Sequence, residues 1–233
     1  PDEIRQGHAT GTDLTIEPDG IHNWGFTARA TPLHTDMPVP RGKITGGTSA
    51  INGQVYLRPI PEDFDFWVSE GHDEWSYEKA LPYLKKLEND LDIVDQYHGN
   101  DGPIIVRRYQ PDELVDDQTA FIEAVTAAGF SQTADHNHPA SSGVGPLPLN
   151  NPDGVRWSTA LGYLTMTRDR PNFTLSADSH TNRMIIENNR VVGVEYEKNG
   201  ELRQAYADEV VLSAGPIGSP HLLMLSGLGP SEQ

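Results

Sequence analysis

The chain has 233 residues, of which 36% are apolar, with 22 glycines, 18 prolines and a formal net charge of −17. This length suits one large domain or two modest ones, and the acidic balance argues against binding to nucleic acid or to anionic membrane surfaces. The absence of cysteine excludes disulfides and thiolate metal sites.

In the first two thirds of the chain, the predicted elements are a few helices joined by long loops. The opening residues show little periodicity, and the pair Gly46-Gly47 predicts a turn that leads into a tightly packed stretch of small residues. Apolar residues recur at helical spacing over residues 77–90 and 116–130, and the second helix places Phe121 on its inward face. A strand at residues 104–107, a loop at 135–154 and a helical stretch at 157–167 complete this part.

The last third of the chain is predicted to be a series of short strands. Hairpins are expected around the sequences NNR and KNGE, because these residues favour tight turns. The predicted strands span residues 172–177, 183–187, 191–197, 201–207 and 209–212. The chain then passes through glycines into a helix, which is how doubly wound folds approach a nucleotide.

Two stretches of small residues are candidates for chemistry. The sequence GGTS, followed by Asn52 and Gly53, offers backbone N–H groups that can face a phosphate or a flat ring, and a carboxamide that both donates and accepts. A tight turn packed on a neighbouring helix would explain the same residues. The sequence SAGPIGSP, residues 213–220, is open to the same two interpretations.

Together, the two stretches resemble the signature segments of the glucose–methanol–choline (GMC) oxidoreductases, a family of FAD-dependent enzymes. The first signature corresponds to GKITGGTSAING at residues 42–53, in which Thr45 replaces the usual aliphatic residue. The second corresponds to GPIGSPHLLMLSGLG at residues 215–229. Weaker matches occur in the family's order at HGNDGP, RWS and VGVEY, so the resemblance extends from about Trp24 to the end of the chain.

The resemblance implies a mixed α/β (α+β) fold. It would combine part of a FAD-binding Rossmann-like domain with part of a substrate-binding lobe that contains an antiparallel sheet and helices. Residues 1–60 would belong to the FAD-binding domain and carry the first signature. Residues 61–165 would belong to the substrate-binding lobe, and residues 166–233 would return to the FAD-binding domain with its remaining strands and the second signature.

The resemblance also implies FAD as the cofactor. The first signature would line the flavin, and the second would approach the adenosine end. Thr181 stands where the family has a Val whose backbone contacts adenine. The cofactor-binding residues implied in this way are Gly46, Gly47, Thr48, Asn52, Gly53, Val55, Thr181, Ala214 and Gly215. No catalytic residue is implied within the chain, because the family's catalytic histidine lies in a C-terminal segment that has no counterpart here.

The implied activity is oxidation of a CH–OH donor by hydride transfer to flavin N5, as in choline dehydrogenase-like alcohol dehydrogenases and oxidases. Two alternatives stay open, a hydroxynitrile lyase-type member that keeps FAD without net redox chemistry, and a non-catalytic binding lobe. The family's N-terminal G-x-G-x-x-G loop also has no counterpart, so we expect the central piece of a longer enzyme, inactive by itself.

The expected partners are the remaining segments of the same enzyme, in this or another chain, and a small-molecule alcohol. No apolar run reaches the ~20 residues that span a bilayer, and no signal peptide is visible. We therefore expect a soluble protein in the cytoplasm, although the residues do not determine the compartment.

One loop invites a metal interpretation. Asp135, His136 and His138 would share a metal ion if their loop were extended. The corresponding part of the GMC family is a surface loop, and we predict no metal site here. His98, in the HGNDGP match, is expected to support a turn.

The flavin is predicted to be held without a covalent bond. Some GMC enzymes attach FAD to a histidine near the first signature, and no histidine occurs between Gly42 and Pro59. Acid precipitation of the flavin-loaded protein should therefore release all of the flavin into the supernatant, as measured by its visible absorption. A yellow pellet would contradict this prediction.

Overall fold

The computed structural model describes residues 20–230 and divides the chain into two compact units, residues 1–171 and 172–233. Helices and small sheets occur in both, so the mixed α/β class predicted from the sequence is confirmed. The division of the first unit into residues 1–60 and 61–165 stays a prediction. No helix within residues 20–230 is long and apolar enough to cross a membrane.

Over its described residues, 20–171, the first unit contains four helices and two small sheets. Strands β1 (Phe26–Ala28) and β2 (Met37–Val39) pair antiparallel, whereas β3 (Glu88–Asp90) and β4 (Ile104–Val106) pair parallel. The helices are α1 (Pro61–Ser69), α2 (Tyr77–Leu87), α3 (Asp116–Ala127) and α4, which consists of a π-helical turn (Ala160–Leu164) and a short α-helical turn (Thr165–Thr167). Four 3-10 turns lie at Gly47–Ala50, Asp73–Trp75, Pro111–Glu113 and Pro152–Gly154.

Helix α1 shows how local sequence and packing agree. Pro61 starts the helix, where its missing N–H is not needed, and the Asp63 carboxylate accepts the Ile60 N–H at 3.0 Å. Phe64 is buried beneath the helix and meets Trp67 and Tyr77 edge-on, with ring centroids 5.6 and 5.8 Å apart. These aromatic contacts dock α1 against the start of α2.

The second unit is an antiparallel meander followed by a helix. Strands β5 (His180–Glu187), β6 (Arg190–Lys198) and β7 (Glu201–Tyr206) pair in that order, and α5 (Gly215–Leu225) packs on β5. Both hairpin turns place their two central residues at positive φ, 49° and 62° in the first and 55° and 77° in the second. Asn and Gly tolerate that conformation, which explains the predicted hairpins. Met184 and Leu222 are buried between sheet and helix.

Several predicted elements are wrong in extent or orientation. Residues 172–177 and 209–212 form no strand, and 78% of Val211 is exposed, because no described strand pairs with either segment. The helix predicted to Asp90 ends at Leu87, since the next three residues pair with β4 instead. Phe121 is 62% exposed because α3 makes its contacts through neighbouring positions, where Ile122 and Val125 are partly buried.

Candidate functional site

The glycine turn, residues 42–55, owes its shape to three glycines. Gly46 and Gly47 have φ values of 98° and 57°, in the left-handed region that other residues rarely adopt. A Cβ on Gly42 would lie 2.3 Å from the Gly47 carbonyl oxygen. These three positions therefore require glycine for reasons internal to the chain, and together they start the 3-10 turn that begins at Gly47.

Hydroxyl groups fasten the glycine turn to the start of α4. The Ser49 hydroxyl donates to the Gly46 carbonyl at 2.6 Å and accepts the Thr159 N–H at 3.0 Å. The Thr159 hydroxyl donates to the same Gly46 carbonyl at 3.2 Å and lies 3.0 Å from Ser49 Oγ. The left-handed residue Gly46 is thus held by two side chains that are far apart in sequence.

A buried cation lies behind the glycine turn. Arg156 is 2% exposed, and its Nη1 donates to the Ala50 carbonyl at 3.1 Å. Burial lowers the pKa of the Arg156 guanidinium, because desolvation disfavours its charged form. The last residue of the 3-10 turn is therefore fixed by a charge-assisted hydrogen bond.

One side of the glycine turn is open. A Cβ on Gly53 would meet no atom within 4 Å, and Val55 is 41% exposed. The chain next to them bonds to Pro148 and Asn150 through Tyr56 and Gln54, so the N–H groups of Gly53 and Val55 have no hydrogen-bond partner among the described residues. This exposed backbone edge therefore has two donors without an acceptor in the described part of the chain.

Asn52 stabilises this edge from within. Its carboxamide oxygen accepts the Gln54 N–H at 3.0 Å, and Gln54 has a φ of 67°, unusual for a residue with a side chain. The Gln54 carbonyl accepts the Asn150 N–H at 2.7 Å. The side-chain and backbone bonds together hold the strained residue that follows Gly53.

The predicted cofactor residues fall into two groups. Six of them, Gly46 to Val55, lie together in the glycine turn of the first unit. Ala214 and Gly215 lie at the start of α5 in the second unit, where Gly215 has a φ of 81° and open space at its Cβ position. Thr181 lies on β5, opposite Tyr196. The first six residues therefore lie together in one turn. In the second unit, Thr181 lies on a different element from Ala214 and Gly215.

The family model of the GMC oxidoreductases matches residues 23–233. This chain belongs to the GMC oxidoreductase family. The match confirms the family predicted from the two glycine-rich stretches.

Relatives of this GMC chain include dehydrogenases and an oxidase. The oxygen-dependent choline dehydrogenase of Vibrio vulnificus is 44% identical over 192 residues, which cover 82% of this chain and 34% of that protein. The mitochondrial choline dehydrogenase of Mus musculus is 37% identical over 217 residues, which cover 92% of this chain and 36% of that protein. The crystal structure of pyridoxine 4-oxidase from Mesorbium loti superimposes with a TM-score of 0.92 and 30% identity, over 100% of this chain and 45% of the oxidase. The chain thus spans less than half the length of each relative.

The loop with three candidate metal ligands is arranged differently from its predicted form. The His136 ring contacts the Gly145 carbonyl at 3.1 Å, and His138 accepts the Ala140 N–H at 3.1 Å, so both imidazoles bind loop backbone. Asp135 and Asn137 are 8% and 6% exposed. The prediction of a surface loop is wrong for these two residues, which point towards Arg108 and Arg58.

Sequence reasoning missed the role of Thr159. It lies 110 residues from Ser49, and no spacing rule connects the two positions. Its neighbour Arg156 belongs to the RWS match with the GMC family, which is the one signal that pointed to this segment. A contact between distant segments becomes visible when the fold brings α4 against the glycine turn.

The hydroxyl contacts of Thr159 should contribute measurable stability to this GMC chain. We expect Thr159→Val to lower the free energy of unfolding by about 1 kcal/mol, the usual value of one net hydrogen bond. Thr165→Val, at an exposed position of α4, is the matched control because it makes the same chemical change without touching the glycine turn. Urea unfolding curves measure both variants, and equal midpoints would contradict the role of Thr159.

Proposed function

We propose that this chain forms part of the FAD site of an enzyme that oxidises a CH–OH donor, with the glycine turn lying along the flavin. When bound, FAD supplies the acceptor for the hydride that leaves the carbinol carbon. Membership of the GMC family supports a flavin cofactor. Similarity to choline dehydrogenases and to a pyridoxine oxidase supports an alcohol as the donor.

The observation that carries this proposal is the environment of Gly53. Among the glycines whose surroundings the structure describes, Gly53 alone combines an ordinary φ with empty space at its Cβ position. Glycine costs conformational entropy when it is fixed, so a position that accepts any side chain gains nothing from it. A flat ligand bound against the backbone would explain why this position is glycine, because a side chain would block its approach.

The polar groups around Gly53 suit the edge of a heterocycle. Within residues 20–230 the N–H groups of Gly53 and Val55 have no acceptor, and the Asn52 carboxamide keeps its two donor hydrogens because its oxygen makes the bond to Gln54. Thr48 accepts the Gly42 N–H through its hydroxyl oxygen at 3.2 Å, which leaves the hydroxyl hydrogen available for donation. Donors of this kind, held rigidly by the turn, would tune the electron demand of a bound flavin ring.

The second unit carries the remaining predicted cofactor residues. Ala214 caps and Gly215 begins the 11-residue helix α5, whose N-terminal dipole favours negative charge, and the open Cβ position of Gly215 lets a ligand approach the backbone. Thr181 would contribute through its backbone. On this proposal residues 1–60 and 166–233 serve FAD, residues 61–165 serve the substrate, and the chain supplies no catalytic base.

Anaerobic reduction tests the activity. Protein produced from its complete natural gene should purify with flavin, and its visible absorption should bleach when a donor alcohol is added without oxygen. Choline and pyridoxine are the first probes because relatives act on them. Protein that takes up no flavin would contradict the cofactor assignment. If the protein binds flavin that no alcohol bleaches and also cleaves a cyanohydrin, the activity is that of a lyase and the proposal of alcohol oxidation is wrong.

Gly53→Leu tests the position of the flavin. Because Cβ meets no described atom there, the flavin-free variant should unfold at the same temperature as the flavin-free parent protein, and yet the variant should bind little flavin. Ala140→Leu adds a similar side chain at an exposed position of the first unit and should keep the flavin. Flavin content per folded protein measures both. Full flavin content in Gly53→Leu would show that the cofactor lies elsewhere.

A further inference from the structure

A buried cluster of charged side chains lies in the first unit, outside the glycine turn. Its carboxylates come from β3 and from the loop after α3, and its guanidiniums come from the segments before α1 and after β4. The side chains are between 0% and 11% exposed. The members of this charged cluster are Arg58, Glu88, Asp90, His98, Arg108 and Asp135.

The two guanidiniums do not balance the three carboxylates. Arg58 pairs with Glu88 at 3.1 Å, and Arg108 pairs with Asp90 at 2.9 Å and with Asp135 at 2.8 Å. With a neutral imidazole, one negative charge is left without compensation inside the cluster, and the Asp95 carboxylate, 2.8 Å from His98 Nδ1, adds a second one beside it. A buried charge without a partner is costly, so the cluster favours an additional cation.

Several ligand atoms in the charged cluster have no hydrogen-bond partner among the described residues. They are Glu88 Oε2, His98 Nε2 and Asp135 Oδ2, and all are buried. His98 Nε2 lies 3.4 Å from Asp135 Oδ2 and 3.8 Å from Asp90 Oδ2. One ligand atom each from Glu88, Asp90 and His98 fall within 4.8 Å of one another. The unpartnered His98 Nε2 and Asp135 Oδ2 are therefore adjacent, and Glu88 and Asp90 each have a ligand atom close to the same nitrogen.

The other polar atoms of these residues are already held. His98 Nδ1 lies 2.8 Å from the Asp95 carboxylate, which orients Nε2 inwards. Glu88 Oε1 accepts bonds from the Gly99 N–H at 3.0 Å and from Arg58, which leaves Oε2 available. A carboxylate on the far nitrogen of a histidine is the arrangement that supports histidine ligands in metal sites.

We propose that Glu88, Asp90 and His98 bind a divalent transition-metal ion, with zinc as the best match, and that Asp135 lies beside it. Zinc bonds of about 2.0–2.1 Å in tetrahedral geometry place ligand atoms about 3.4 Å apart. His98 Nε2 and Asp90 Oδ2 are 3.8 Å apart and would move slightly closer on binding, while Asp135 Oδ2 lies 3.4 Å from the same nitrogen. A nitrogen ligand argues against calcium and magnesium, which take oxygen ligands. The ion would tie β3 to the turn that carries His98.

A proton or a water molecule would satisfy the open atoms and the charge of the cluster less completely than a divalent metal ion would. A proton on His98 Nε2 would face Asp135 Oδ2 across 3.4 Å, a long contact, and would leave Glu88 Oε2 without a partner. A water molecule would bond to the open atoms without supplying the missing positive charge. A divalent cation does both, since it binds the open atoms and balances the carboxylates.

Metal titration of the chelator-treated full chain tests the proposal. We expect one Zn²⁺ per chain by elemental analysis after gel filtration, and a rise in the thermal midpoint on binding. Co²⁺ should give the intense visible bands of a four-coordinate site with nitrogen and oxygen ligands. This readout needs no variant, so it does not depend on whether a mutant folds. No stoichiometric Zn²⁺, or Co²⁺ with the spectrum of the hydrated ion, would overturn the proposal.

Variants separate a built site from loose attraction to an acidic protein with a net charge of −17. Glu88→Gln keeps the shape of the side chain and should weaken Zn²⁺ binding at least ~10-fold, a loss typical of disturbed metal sites. Asp101→Asn makes the same type of change at an exposed carboxylate outside the cluster and should leave the affinity unchanged. Equal affinities in the two variants would overturn the assignment. A protonated His98 ring in the Zn²⁺-titrated chain, seen by nitrogen NMR, would do the same.

Discussion

The first unit depends on the pairing of buried charge. Its described interior contains Arg58 and Arg108, which pair with two carboxylates of β3 and with one from the loop after α3. Burial raises the pKa of Glu88, which shows how strongly this interior penalises an ionised carboxylate. Removal of one partner from a buried pair typically costs about 3–5 kcal/mol, so the segments are held in one arrangement.

The same network supports the candidate cofactor site. Asn137 accepts the Arg58 N–H at 2.9 Å through its side-chain oxygen and donates to the Tyr56 carbonyl at 3.0 Å through its side-chain nitrogen. Tyr56 and Arg58 belong to the strand-like segment that follows Val55 at the end of the glycine turn. The open edge at Gly53 is therefore anchored on one side by the charged interior and on the other by Ser49, Thr159 and Arg156. A rigid backbone edge of this kind can bind a flat ligand without ordering itself first.

The sequence predicts those elements whose conformation depends on neighbouring residues, and it does not predict those that depend on contacts between distant segments. The hairpins between β5, β6 and β7 are predictable because Asn and Gly at the turns favour positive φ whatever surrounds them. Helix α3 follows from its own periodicity, but the exposure of Phe121 depends on what the helix meets. The charged cluster escapes prediction because its members come from five separate segments and share no spacing. Residues 209–212 have strand-like composition and no described strand beside them, and composition alone does not supply a pairing partner.

The glycines of the turn have two different roles that the sequence alone does not distinguish: some are required by the backbone, and one is not. Gly42 avoids a clash with the Gly47 carbonyl oxygen, and Gly46 has a backbone conformation that disfavours a side chain, so the chain itself explains both. Gly53 has room for a side chain and an ordinary φ, and nothing in the described chain explains it. Glycines within twelve positions of each other thus serve folding in one case and, on the proposal above, would serve a bound ligand in the other. A residue that the fold does not need is the stronger evidence for a ligand, because folding cannot account for its presence.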